Sequence, residues 1–380
     1  MNWVRLGDIA SYINGYAFKP SDWHGSGLPI IRIQNLTNEY AEYNYTTNEI
    51  DEKYLIKNGD ILISWSATLG VFQWDRGDAY LNQHIFKVVF DKDDINKDFF
   101  KYAVKYSLEK SSKNAHGSTM KHLTRKNFEK IKIPKYTLDK QKKIANLLEK
   151  AEKLIKIRQD QIQALDDLLE SSFYQMFGDI ISTKYDVLKI DEIAKSTQYG
   201  TSKKADDKTG NYPILRMGNI TYNGLLDLND LKYIDISDDE KDKYLVKNGD
   251  ILFNRTNSKE LVGKTAIYNL DQEMAYAGYL IRLRVNEKIN PIFLSRQMNM
   301  SFFKKTLFIK AKASINMSNI NSKELKEFKI ICPPIEKQNK FADLVTKIEG
   351  QKGILEDSLS ELSDLFASLM QDAFDGSLSK

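Results

Sequence analysis

A single cysteine, Cys332, rules out an internal disulfide and suits a reducing compartment, so a cytoplasmic location is expected. No run of eighteen apolar residues is present, and no membrane span is expected. The opening MNWVRLGDIA has no basic stretch followed by an apolar one, so no secretion signal is expected. All four histidines (His24, His84, His116, His122) lie in the first half, and none is spaced as a zinc pair on one helix face. Residues 261–265 (LVGKT) end like a phosphate loop, but Ser258 stands where the first glycine must be. The one Pro-Pro pair, Pro333-Pro334, lies between Cys332 and Ile335, unlike the Asn/Asp-Pro-Pro-aromatic loop that holds an amine for methylation. Asp and Glu are scattered, and the turn they share accounts for the recurrence of Asp60 and Asp250. No catalytic set remains, and the chain is expected to hold no cofactor and no metal.

What is present is a long seam. Across residues 139–178, Leu148, Ile155, Ile162, Leu169 and Met176 share one heptad phase, while Ile144, Ala151 and Leu165 share the interleaved one, interrupted by Arg158 and Ser172. That pattern predicts a helix packed lengthwise against another. The far end of the chain repeats it with Phe341, Val345, Ile348, Leu355, Leu359, Leu362, Phe366 and Leu369. Both helices open alike, KQKKIANLL from Lys140 and KQNKFADLV from Lys337. Gly350 and Gly353, with Lys352 at a seam position, predict a bend or loosened packing opposite Arg158 or its neighbours rather than a broken helix.

The rest of the chain is duplicated as well. VRLGDIA at residues 4–10 recurs as LKIDEIA at 188–194, and the strand-like LPIIRIQNL at 28–36 recurs as YPILRMGNI at 212–220. YLIKNGDILIS at 54–64 returns as YLVKNGDILFN at 244–254, an Asn-Gly-Asp turn followed by a buried strand. HIFKVVF and LIRLRV read as strands, and helices are expected from Ile95 and Ile289. The period is too long for a solenoid. With 380 residues, 42% of them hydrophobic, and a mean hydropathy of −0.47, the chain has room for two cored domains plus helices. The expected fold is α+β: two mixed α/β domains, 1–138 and 183–334, with long antiparallel helices at 139–182 and 335–376 and a tail at 377–380. Trp3 is expected in the scaffold core.

Net charge is only +4, but residues 117–143 carry nine Lys/Arg against Glu129 and Asp139. Such a stretch fits a phosphate-facing surface. Loops outside the repeated scaffold are rich in groups that grip phosphates or read base edges. The candidates in the first copy are Lys19, Gln34, Trp65, Ser66, Thr68, Arg76, Gln83, His84, Ser118 and Lys121. In the second copy they are Thr201, Ser202, Lys203, Lys204, Arg255, Asn257, Lys259 and Lys312.

Taken in order and duplicated, these motifs resemble the DNA-specificity (S) subunit of type I restriction–modification systems. The resemblance rests on the start (Trp3, Leu6, Asp8, Ile9), the RIQNL and RMGNI pair, the repeated NGDIL, and the Lys-Gln entries to the long helices. Lys140 and Lys337 stand where that family usually has an acidic residue. The resemblance implies two target recognition domains, one per half of a split, asymmetric DNA site, held apart by the helical pair. A forty-residue helix spans roughly 60 Å, more than the roughly 34–36 Å of one DNA turn. It further implies two methyltransferase subunits that carry S-adenosylmethionine, and two restriction subunits that use ATP and Mg²⁺. The Lys- and Glu-rich faces near residues 142–156 are the expected docking surface. A coiled-coil scaffold with protein-binding domains is the alternative, and the missing catalytic set disfavours a stand-alone nuclease.

Overall fold

The structure is a computed structural model in which residues 2–38, 40–66, 68–113, 124–258, 260–310 and 318–375 are described. The chain divides into two compact units, Met1–Gln159 with Asp357–Lys380, and Asp160–Glu356. Each long helix therefore gives one half to each unit.

The duplication read in the sequence recurs strand for strand. Unit 1 has an antiparallel sheet in the order Ser11–Asn14, Ile85–Val89, Ile61–Ser64, Gly70–Gln73. Unit 2 has Ala194–Tyr199, Leu280–Val285, Ile251–Asn254, Thr265–Ile267 in the same order. A second sheet in unit 1 runs Asn44–Thr46, Leu28–Ile31, Ala79–Leu81, Leu55–Ile56, and its counterpart runs Lys232–Ile234, Tyr212–Leu215, Met274–Tyr276, Leu245–Val246. Each unit adds a two-stranded ribbon, Trp3–Arg5 with Lys132–Pro134 or Asp186–Lys189 with Lys329–Cys332. The pair Thr256–Asn257 with Ser318–Asn319 occurs in unit 2 alone among the described residues.

Local chemistry explains the repeated motifs. In each Asn-Gly-Asp turn the glycine is left-handed, with φ of 89° at both Gly59 and Gly249. The aspartate accepts the N–H of Lys57 or Lys247 at 2.9 Å, closing the turn from its own side chain. A cation one strand away completes each copy. Lys87 reaches Asp60 at 3.3 Å and the Leu55 carbonyl at 2.6 Å, while Arg282 donates to the Leu245 carbonyl at 2.6 Å and Arg284 holds Asp250 at 2.7 Å.

Two expectations are corrected. RIQNL and RMGNI are not strands: the strands stop at Ile31 and Leu215, and the chain turns into a helix at Ile33–Thr37 and a 3₁₀ turn at Met217–Asn219. The cause is the buried asparagine. Asn35 accepts the Arg32 N–H and donates to the carbonyls of Ala41 and Glu42, and Asn219 does the same with Arg216, Asp227 and Asp230. Trp3 is 47% exposed rather than buried, because the ribbon turns Val4 inward and leaves Trp3 and Arg5 outside.

The long helices run Leu138–Phe177 and Ile335–Asp375. The first stops at the left-handed Gly178 (φ 73°), short of the expected 182. Shorter helices begin at Lys97 and Pro291, two residues beyond Ile95 and Ile289. Inside unit 2 the long helices are antiparallel: Phe173 and Phe177 meet Phe341 and Phe293 with ring centres 5.1–6.0 Å apart, and Lys352 meets Asp166. Inside unit 1, Ile144 and Leu148 share a core with Met370 and Phe374, and Phe374 packs on Phe99 at 5.4 Å. Of the seam residues, Leu148, Leu169, Val345 and Ile348 are buried, whereas Ile155, Ile162, Leu165, Leu355, Leu359, Leu362 and Phe366 are half-buried.

The C-terminal helix continues through Gly350 and Gly353, and Lys352 faces Asp166. With its side chain 2% exposed, Lys352 lies 2.7 Å from Asp166 and 3.6 Å from Glu349, both shared with Arg296. An added Cβ at Gly350 or Gly353 meets nothing within 4 Å. Gly350→Ala and Gly353→Ala are therefore expected to stabilise the chain by up to about 1 kcal/mol each. The measurement is a urea midpoint, and a lowered one would show that the helix needs slack there.

Candidate DNA-recognition interface

In unit 2 a cleft of about 990 Å³ gathers Thr201, Ser202, Lys203 and Asn257 with Arg216, Lys264 and Tyr279. Next to the lining residue Thr201 the backbone crosses where only glycine fits: a Cβ on Gly200 would lie 2.2 Å from the Tyr276 carbonyl oxygen. Thr201 is buried there and accepts the Lys203 N–H, so it shapes the loop. Lys203 is held by Glu240 at 2.5 Å, whereas Ser202 and Lys204 are exposed. Arg255 sits on the strand edge, its backbone bonded to Tyr279 and Ile320, its guanidinium 5.0 Å over the ring of Tyr199. Asn257 is half-buried and accepts the Ser258 N–H at 2.9 Å. Sequence reasoning missed Arg216, Lys264, Tyr279 and Tyr199. Arg216 lay inside a motif read as strand, Tyr199 ends the strand Ala194–Tyr199, and Lys264 and Tyr279 depend on loop geometry.

Unit 1 shows the same scaffold with other side chains. A Cβ on Gly15 would lie 2.1 Å from the Asn82 carbonyl oxygen, matching Gly200. Trp65 donates its backbone N–H to His84 as Arg255 does to Tyr279, so Trp65 matches Arg255 and His84 matches Tyr279. Trp65 packs edge-on to His84 at 4.9 Å and stacks on Phe86 at 5.8 Å. His84 is left-handed (φ 76°), a sparse conformation for a residue with a side chain. The Trp65 indole N–H, His84 Nδ1 and Arg255 Nε are buried without a hydrogen-bond partner among the described residues. Unmet polar capacity of this kind needs a reason.

Comparison with known proteins identifies the family. The family described as "Type I restriction modification DNA specificity domain" matches residues 1–166 and 183–363. The chain belongs to this family. It is 23% identical to the type I restriction enzyme EcoBI specificity subunit of Escherichia coli, over 99% of this chain and 86% of that protein. It is 26% identical to the MjaVIII specificity subunit of Methanocaldococcus jannaschii, over 91% and 85%. A type I restriction–modification S subunit from M. genitalium shares the fold, with a TM-score of 0.55, 15% identity and coverage of 98% and 96%.

For a member of the specificity family, several expected contacts are already engaged within the scaffold. Arg76 donates to the Tyr43 hydroxyl at 2.9 Å and lies 4.5 Å over the Trp74 ring. Ser66 is buried, and the Thr68 carbonyl accepts the Ser64 hydroxyl. Lys19, Gln34 and Gln83 are exposed. Ser118, Lys121, Lys259 and Lys312 lie outside the described residues. Among the described residues no group of His, Cys, Asp and Glu is placed to hold a metal, and no helix is long and apolar enough to cross a membrane.

A second cleft in unit 2, about 830 Å³, is lined by Asp166, Glu170, Tyr222, Arg296 and Lys304. Lys304 donates to the Tyr222 carbonyl at 2.8 Å, with its ammonium 3.6 Å from the ring centre. Burial first, then Arg296, pulls its pKa from 10.5 down to about 8. The unfolded chain therefore binds more protons between those two values, and stability rises with pH through that window. Urea midpoints of the unaltered chain and Lys304→Met are expected to diverge as pH rises from about 8 to 10.5, the unaltered chain gaining relative to the variant. Parallel curves would mean that the amine is not perturbed.

Proposed function

We propose that this chain reads a two-part, asymmetric DNA site, one half per unit, and addresses catalytic partners to it. Those partners are two methyltransferase subunits, which hold S-adenosylmethionine and methylate adenine, and two restriction subunits, which use ATP and Mg²⁺. The chain itself is non-catalytic on this reading, holds no cofactor and works in the cytoplasm. One observation carries the proposal: a single scaffold occurs twice with unlike groups at matching positions, Trp65 and His84 in one unit, Arg255 and Tyr279 in the other. Equal scaffolds with unlike reading groups suit two different half-sites. Exposed Leu147, Leu154 and Ile157 on the central helix support a helical partner, being spaced as a second seam.

Mapping methylated adenines in a host with and without the chain identifies the site. On it, Arg255→Ala or Asn257→Ala is expected to cost about 1–3 kcal/mol of binding at one half-site, base changes in the other half keeping their full effect. An equal loss on unrelated sequences would reduce these residues to phosphate contacts. No duplex binding, alone or with the methyltransferase subunit, would leave a protein-binding scaffold instead.

A further inference from the structure

Each unit carries its ribbon with two cations directly opposite each other, Arg5 with Lys132 in unit 1 and Lys189 with Lys329 in unit 2. Cross-strand partners have Cβ atoms about 4.5–5.5 Å apart, and like charges placed so are destabilising. The two units treat the problem differently. In unit 2, Lys189 donates to Glu327 at 2.7 Å, two residues before the strand Lys329–Cys332. The residue two before Lys132–Pro134 in unit 1 is Lys130. The correspondence is structural as well as numerical. The residue after each, Ile131 or Phe328, accepts the N–H of Leu6 or Ile190 at 2.9 Å.

At these three positions unit 1 thus has three cations where unit 2 has two and a carboxylate. At the position before, Glu129 of unit 1 is engaged by Arg125 and Lys326 of unit 2 by Asp191. Arg5, Lys130 and Lys132 are all exposed, and none has a side-chain partner among the described residues. Exposed Trp3 shares the outer face with Arg5. A concentration of unpaired positive charge, held on a ribbon that it destabilises, is complementary to a polyanion.

We propose that the Arg5–Lys130–Lys132 surface of unit 1 grips the phosphate backbone of duplex DNA, independently of sequence, and that the ribbon of unit 2 does not. The inference rests on the DNA-reading function proposed above. It deepens that function by separating a gripping surface from the reading loops and by making the two units unequal in grip.

The test uses the full chain and two labelled duplexes, one carrying the mapped site and one scrambled, with anisotropy measured across a salt series. Lys130→Glu gives unit 1 the charge that unit 2 carries, and Lys132→Gln is a milder second variant. Each is expected to weaken both duplexes by the same factor, on the order of threefold to tenfold at low salt. The slope of log affinity against log salt should fall by about 1. Glu327→Lys should cost no affinity. An unchanged slope in both variants, or a loss on the mapped site alone, overturns the grip. So does unchanged DNA binding with lost association to the methyltransferase subunit, which would make the surface a dock for an acidic protein. If the unaltered chain does not distinguish the duplexes but the slope still falls, the grip stands and sequence reading fails. If it discriminates and the slope holds, the reverse is true.

Discussion

The arrangement depends on one buried amide used twice. Gln141 and Gln338 stand in the first turn of the two long helices, and each joins its helix to the domain that precedes it. The side-chain oxygen accepts the N–H of Asn96 or Asn290 at 2.8 Å, just ahead of the domain's own helix. The nitrogen donates to the Tyr136 carbonyl, or to those of Pro333 and Lys288. A glutamine can do this because it presents donor and acceptor on one planar group. Leaving either side unmet in a buried place would cost about 1–3 kcal/mol. The amide therefore fixes the direction in which each long helix leaves its domain, and the largely edge-to-face packing of Phe173, Phe177, Phe293 and Phe341 follows from that direction in unit 2.

A second constraint acts within unit 2. Lys352, Arg296, Asp166 and Glu349 balance two cations against two carboxylates at the helix seam. Ion pairs so deep add little net stability, but removing one member leaves an uncompensated charge worth about 3–5 kcal/mol. Their effect is to define one register for the helix pair, since any slip strands all four groups. An apolar seam would tolerate such a slip far better.

The sequence displayed what repeats and hid what differs. Heptad spacing located both long helices to within a residue or so at their starts, and NGDIL located a turn whose aspartate closes on its own backbone. RIQNL misled because alternation of Ile31, Ile33 and Asn35 imitates a strand, while the bonds that bend it come from residues six and seven positions on. The reading loops were legible only as composition. Nothing in the letters told that Arg76 was committed to Trp74 and Tyr43, or that Lys203 was tied to Glu240 across 37 residues. Such pairings are tertiary, and a local pattern carries no trace of them.

The placement of the indoles has an optical consequence. All four tryptophans, Trp3, Trp23, Trp65 and Trp74, belong to unit 1, and unit 2 has none. They span the full range of environments, from buried Trp74 to exposed Trp3 and Trp23. Indole emission therefore reports on one half of the chain alone, while far-ultraviolet dichroism sees both. The molecule is labelled on one side by its own composition, and the two signals together separate the melting of one recognition unit from that of the other.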